Sequence, residues 1–418
     1  MKLTVFAAGS RGDIQPCLAL CQGLQAAGHT VHLAAPVDFA AFAAEHGVAF
    51  RGLRGDVQAI MAGDTGRDFM ETGGGNPLKS IRAMRTMLAP VVRQMIDDVL
   101  VACADAEAMI CLGVFTAFGR SIADSLKIPI VAIEPTPLLP TRAFPAPSWP
   151  IQRSLGGLHA LLSGRAMVGV LWLWYAPFVN DLRRRLGLRR MSGSGFLRTL
   201  RETPLLGAYS SHVIPRPPDW PESHVVTGYL FLPPQAGWEP PADLSAFLDV
   251  GDPPVCIGFG SMAGRDPEGL ARLVVRALQD SGRRGVLLTG WGGLASGVDS
   301  AQVAVAAAVP HRWLFPRAAA VVHHGGAGTT AEGLRAGKPT VIVPFVLDQP
   351  WWGARVRALG VGPAPLPRQH LTAEHLARAI VTATTDHRIG ARAEATGAAI
   401  RAEDGVATAV AAIERLLG

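Results

Sequence analysis

One pattern occurs twice in this sequence, and it decides most of what the chain can fold into. A short apolar run leads into a glycine turn, then a helix-spaced apolar stretch, then a second apolar run. In the first copy Leu3 to Ala8 reads as a strand and Gly9-Ser-Arg-Gly-Asp13 turns the chain. Pro16 is expected in the first helical turn, which tolerates it. Leu18, Cys21 and Leu24 recur at helical spacing, Gly28 closes the helix, and Val31 to Ala34 is the next strand. In the second copy Val255 to Phe259 is the strand, and Gly258, Gly260 and Ser261 form the turn. Leu270 to Leu278 is the helix and Val286 to Thr289 the strand after it. Each copy is a βαβ unit, the opening of a parallel, doubly wound sheet. The chain has 418 residues, room for two domains of about 200 each. Pro233 to Pro241, too rich in proline for either core, is the expected linker. The expected fold class is therefore α/β, with two Rossmann-like domains facing a cleft.

Composition narrows the function classes. Hydrophobic residues make up 49% and charged residues 17%, the balance of a folded globular chain rather than a disordered one. A formal charge of +6 is a mild excess, not a nucleic-acid footprint. The basic residues cluster only at Arg183, Arg184, Arg185, Arg189 and Arg190, read as a solvated helix face, with an anionic membrane surface or an acceptor as the alternative. The five cysteines form no Cys-x-x-Cys pair, and a reduced cytoplasmic location is expected. Arg11 and Asp13 cut short the apolar N-terminus, which argues against a signal peptide. Ala166 to Val179 is too short for a bilayer span of about 20 residues, and Pro177 interrupts it.

The stretch with the most chemistry is Val321-Val-His-His-Gly-Gly-Ala-Gly-Thr-Thr-Ala-Glu-Gly333. A β-branched strand runs into two histidines, a glycine turn and two threonines that could cap a helix. Such a turn presents free N–H groups and a helix-dipole terminus to a phosphate, worth about 0.3–2 kcal/mol. An ordinary strand-to-helix turn with satisfied core histidines is the alternative.

Here the sequence resembles the inverting glycosyltransferases of the GT-B fold, in the UDP-glycosyltransferase family. The branch it resembles holds sterol glucosyltransferases and antibiotic-modifying glycosyltransferases. Four places carry the resemblance: Gly9 to Pro16, Pro140-Thr-Arg-Ala-Phe-Pro-Ala-Pro147, Gly258-Phe-Gly-Ser-Met262, and the block from Val309 through His323-His324 to Pro344-Phe-Val-Leu-Asp-Gln-Pro350. The resemblance implies an acceptor-binding domain over 1–235, a linker over 236–252 and a nucleotide-sugar-binding domain over 253–386. A helical segment, 387–418, is expected to pack back on the first domain.

It also implies roles. Asp13 would be the general base, with a plain helix cap as the alternative. His324 would contact the donor diphosphate, with Gly326, Gly328, Thr329 and Ser261 around the phosphates. Val309 and Trp313 would hold the base, Glu332 the ribose hydroxyls, and Asp348 with Gln349 the sugar hydroxyls. Phe144, Trp172 and Trp174 are candidates for an apolar acceptor site, although Trp172 and Trp174 could equally belong to a core helix. His323 reads as structural, with a ligand role as the alternative.

The resemblance implies glucose transfer from UDP-glucose to a hydroxyl of a sterol, triterpenoid, flavonoid or polyketide. No Asp-x-Asp motif occurs, so a metal-independent reaction without a cofactor is expected. No nucleic-acid partner is expected, and peripheral membrane contact stays open. The alternatives are a dTDP-deoxysugar transferase and a non-catalytic donor-binding auxiliary protein. A nicotinamide dehydrogenase lacks support, because the first turn has no Gly-x-Gly-x-x-Gly. A UDP-sugar 2-epimerase would share the fold, but the Asp13 context and the Asp348-Gln349 pair favour transfer.

Overall fold

The computed structural model describes residues 1–55, 77–152, 155–233, 237–260, 266–289, 302–307 and 309–418. Ser261 and the glycine run at 73–75 lie outside them. The chain divides into two compact units. The first spans Met1–Gly66, Gly75–Pro233 and Glu403–Gly418, and the second includes Pro234–Ala402.

The first unit is built on a seven-stranded sheet in the order β3-β2-β1-β4-β5-β6-β7. Its strands are β1 (Lys2–Phe6), β2 (Thr30–Pro36), β3 (Ala49–Leu53), β4 (Ala108–Leu112), β5 (Ile130–Glu134), β6 (Leu205–Gly207) and β7 (His224–Val226). All are parallel, and β1, β4 and β5 are almost wholly buried. Helices on both faces explain that burial: strands covered on each side read as continuous apolar runs. These helices are α1 (Arg11–Ala26), α2 (Ala40–Glu45), α3 (Pro77–Ala102), α4 (Thr116–Leu126), α5 (Gly157–Arg185) and α6 (Gly193–Glu202).

The second unit has a five-stranded parallel sheet in the order β10-β9-β8-β11-β12. The strands are β8 (Val255–Gly258), β9 (Gly285–Leu288), β10 (Val303–Ala306), β11 (Ala320–His323) and β12 (Thr340–Ile342). Around it lie α7 (Ala242–Leu248), α8 (Pro267–Ser281), α9 (His311–Leu314), α10 (Ala327–Arg335), α11 (Gln349–Leu359), α12 (Ala373–Thr385) and α13 (His387–Arg401). The last helix, α14 (Gly405–Leu417), belongs to the first unit.

Four expectations change. Helix α1 starts at Arg11, so Pro16 lies inside it rather than in its first turn. The missing donor at Pro16 faces the carbonyl of Gly12, which is exposed and can be hydrated. Pro177 does not interrupt α5, which runs unbroken from Gly157 to Arg185. The segment 236–252 is not a free linker. It carries α7, whose Leu244 is 3% exposed in a core shared with Cys256, Val286 and Val321. The segment 387–418 divides: α13 packs on α10 in the second unit, while α14 packs on α1 in the first. Gly23 of α1 makes the second contact possible, since a β-carbon there would collide with Val406.

Candidate active site

In a doubly wound sheet, ligands gather at the carboxyl ends of the strands where the strand order reverses. In the second unit that point lies between β8 and β11, and His324 is the first residue after β11. Its ring reaches the turn after β8: a β-carbon on Gly260 would lie 3.7 Å from His324 Cε1. Burial lowers its pKa to about 4, so the imidazole is neutral at pH 7. Its Nδ1 is buried with no hydrogen-bond partner among the described residues. A neutral imidazole still carries one N–H to donate.

Helix α10 opens directly behind it. The residue that caps it is Gly326, not a threonine. Thr330 N donates to the Gly326 carbonyl at 2.9 Å, the first helical bond. The N–H groups of Ala327, Gly328 and Thr329 precede that bond and point out of the helix start. Those three residues are half-buried, as a site for an anion requires. Thr330 is fully buried and its hydroxyl donates to the Gly326 carbonyl at 2.9 Å. The turn itself depends on Gly325, at φ 93°, where a β-carbon would lie 2.7 Å from Ile342 Cγ2. His323 is structural: it is buried and its Nδ1 accepts from Gly325 N at 3.0 Å.

Glu332 lies two residues on, half-buried, with its pKa raised by burial and opposed by Arg335 and Arg312. Trp313 has one ring face covered by the Arg317 guanidinium, 4.4 Å from the centroid, and Trp238 at its edge at 5.3 Å. Val309 is 8% exposed and its side chain belongs to the core, so its backbone is what it can offer a ligand. These arginines and Trp238 were not singled out in the sequence, because nothing local marks them.

Asp348 and Gln349 open α11 after Leu347, a non-glycine residue at φ 60°. Such a conformation costs about 1 kcal/mol or more and persists only where the surroundings fix it. Asp348 Oδ2 accepts from Trp352 Nε1 at 3.1 Å. Gln349 is buried and its Oε1 accepts from Phe345 N at 2.8 Å and Val346 N at 3.1 Å. Its carbonyl is thus committed to the loop, which leaves the amide N–H groups as what Gln349 can present to a sugar hydroxyl.

In the first unit the strand order reverses between β1 and β4. Asp13, half-buried on the first turn of α1, follows β1. Its Oδ2 accepts from Ser10 N at 2.8 Å and Ser10 Oγ at 3.0 Å. The carboxylate folds back over Gly9, at φ 132°, where a β-carbon would collide with it. Asp13 therefore does act as a capping residue, and it does so at the carboxyl edge of the sheet. Glu134, which the sequence reading passed over, ends β5 on the same edge. It is 3% exposed, its pKa is pushed up to about 8 by burial, and its side chain fills the space beside Gly113 after β4. An acid closing the all-apolar run Ile130 to Ile133 was the available signal.

The acceptor candidates divide. Trp172 is buried, stacked on Phe196 at 5.3 Å between α5 and α6, and is a core residue rather than a site residue. Trp174 is half-buried and packs on Tyr175 and Phe178. Phe144 is half-buried with its edge to Trp220. Its loop is pinned by Asp219, which accepts from Thr141 Oγ1 at 2.6 Å and Arg142 N at 2.8 Å.

Comparison with known proteins places the chain in a family. The glycosyltransferase family 28 N-terminal domain matches residues 3–145, and the erythromycin biosynthesis protein CIII-like C-terminal domain matches residues 296–412. The sterol 3-beta-glucosyltransferase UGT80A2 of Arabidopsis thaliana is 37% identical over 99% of this chain and 65% of its own length. UGT80B1, a sterol 3-beta-glucosyltransferase of the same plant, is 34% identical over 100% of this chain and 68% of its own. The chain thus spans about two thirds of these relatives. The solved glycotransferase of kitacinnamycin superposes with a TM-score of 0.72 at 21% identity, covering 100% of this chain and 99% of that one. The fold, two parallel-sheet Rossmann-like units, is that of the GT-B glycosyltransferases. The chain belongs to the sterol 3-beta-glucosyltransferase family.

Proposed function

We propose that this chain is an inverting, metal-independent glucosyltransferase that moves glucose from UDP-glucose to the hydroxyl of a sterol-class acceptor. The observation that carries the reading is His324 at the switch point of the second sheet, beside the open start of α10. The leaving diphosphate needs neutralising, and His324 with the α10 N–H groups would supply fixed donors for it. Glu332 would take the ribose hydroxyls, and Asp348 with the Gln349 amide the glucose hydroxyls.

On this reading Asp13 takes the proton of the acceptor hydroxyl as its oxygen bonds to the anomeric carbon. The bond from that carbon to the diphosphate breaks, and UDP leaves with the electron pair. Attack from the opposite face inverts the anomeric centre. A positioned base contributes about 10²–10⁴-fold, because a free hydroxyl is a poor nucleophile at pH 7. The sterol class is supported by the names of the relatives and by the segment Pro140 to Pro147. The test is turnover of UDP-glucose with a panel of hydroxylated apolar acceptors, with and without chelator. A β-glucoside formed equally well in chelator is expected. A strict requirement for Mg²⁺ or Mn²⁺ would overturn the metal-free route.

A further inference from the structure

Helix α5 has an outer face that does not look built for water. Its inner face buries Ala160, Ser163, Gly164, Val168, Tyr175, Val179 and Leu182. On the other side Leu158 is 64% exposed, Leu162 52%, Val170 45% and Leu173 59%. Ala166, Gly169 and Pro177 are exposed between and beyond them, at the spacing of one helical stripe. Ile151 and Leu155, which precede the helix in the chain, are also 44% and 53% exposed. From Leu158 to Pro177 the only charged residue is Arg165. The stripe is about 28 Å long at 1.5 Å per residue. A water-facing helix side of that length ordinarily carries charges of both signs.

The chain turns strongly basic where the stripe ends. Arg184, Arg185, Arg189 and Arg190 are all exposed. Arg184 pairs with Asp181 at 2.5 Å and Arg185 with Asp97, while no ion pair engages Arg189 or Arg190 among the described residues. At the junction lies an open groove of about 640 Å³, lined among others by Pro177, Asn180, Asp181, Arg184 and Arg190. No helix among the described residues is long and apolar enough to cross a membrane. A helix that is apolar along one exposed stripe and basic at its end fits the plane of a bilayer surface instead.

We propose that the outer face of α5 docks this protein on an anionic phospholipid bilayer. The exposed leucines enter the acyl boundary, and Arg189 and Arg190 meet lipid phosphates. Charge decides the occupant: the stripe carries no acid and leads into exposed arginines, two of them without an ion pair among the described residues, which anionic headgroups complement. The same helix bears the loop Pro140 to Pro147 on its inner side. Gly164 packs on Pro140, and Ser163 Oγ accepts from Ala146 N at 3.0 Å. A bilayer at the outer face would thus lie one helix away from the segment that resembles the sterol branch. This deepens the proposed function by saying where an apolar acceptor is met, but binding can be read without turnover.

The experiment is co-sedimentation of the full chain with vesicles of phosphatidylcholine alone and of phosphatidylcholine with phosphatidylglycerol. The unaltered protein should bind the anionic vesicles, and salt should weaken that binding. Leu158→Ser with Leu162→Ser and Leu173→Ser, or separately Arg189→Gln with Arg190→Gln, should each reduce it about tenfold or more. Thermal melts of both variants should match the parent, because all five side chains are exposed. Absence of vesicle binding by the parent, or unchanged binding by both well-folded variants, would overturn the proposal. A parent dimer that the leucine variant converts to monomer, with no vesicle binding, would assign the face to a second copy of this chain. Failure to glucosylate sterols in detergent solution would leave the vesicle result standing by itself.

Discussion

His324 occupies the space in front of Gly326: a β-carbon on Gly326 would lie 2.6 Å from His324 Nε2. The glycine that caps α10 therefore also sets where the imidazole can rest. Gly326→Ala should push the ring off the helix start and weaken UDP binding, with His324 itself intact. His324→Ala should weaken UDP binding and lower kcat, because the same donor would serve ground-state phosphate and departing diphosphate. Calorimetry of UDP binding beside steady-state kinetics checks both. Unchanged UDP affinity in both variants would place the diphosphate elsewhere.

Asp13 has two tasks on this account, and a conservative substitution separates them. Asp13→Asn keeps an oxygen for Ser10 N but removes the proton acceptor. We expect kcat to fall about 10²-fold or more, UDP affinity to hold, and stability to drop by about 1 kcal/mol or less. A variant with half its activity would mean that another group takes the proton.

Glu134 gives a pH dependence whose sign follows from burial. Its folded pKa is pushed up to about 8 from an ordinary 4.5, so unfolding releases its proton between those values. Stability tied to the neutral acid is fully present below about pH 4.5 and is lost as pH rises toward 8. Glutamine cannot ionise and keeps the carbonyl that accepts from Leu138 N at 3.0 Å. Glu134→Gln should leave Tm nearly unchanged at pH 5. It should raise stability at pH 7, by up to about 3 kcal/mol. Thermal melts across pH decide it, and a Tm difference that does not grow with pH would mean that Glu134 ionises freely in the fold.

Glu332 bears on the nucleotide. A carboxylate that accepts from both ribose hydroxyls loses a partner when the donor carries deoxyribose. An unpaired buried acceptor costs about 1–3 kcal/mol, or about ten- to a hundredfold. UDP-glucose should exceed dTDP-glucose in kcat/KM by that factor, and Glu332→Ala should narrow the gap. A preference for dTDP-glucose would make a deoxysugar transferase the leading account.

Local signals wrote much of this fold into the sequence. The apolar runs within 255–258, 285–288 and 320–323 are strands, and Gly28 ends α1, because burial on both faces and a left-handed turn each demand particular residues nearby. What was not legible rests on distant partners. Nothing near Trp172 says that Phe196 covers it. The passage of the chain back to the first unit at Glu403 depends on Ser210, whose hydroxyl donates to Glu403 at 2.8 Å, and on the room left by Gly23. In the site, His324 and the glycine turn were readable from order and spacing. The commitment of the Gln349 carbonyl to its own loop was not, since it needs the left-handed turn at Leu347.

The central claim is glucosyl transfer to a sterol with inversion, and one reaction tests it. The purified full chain is incubated with UDP-glucose and a 3β-hydroxysterol, with UDP release followed alongside mass and proton NMR of the product. The account predicts one sterol glucoside per UDP released, with a β-anomeric proton signal, and loss of both products in Asp13→Asn. UDP release without a sterol glucoside, or a product with the α-anomeric signal, would contradict it.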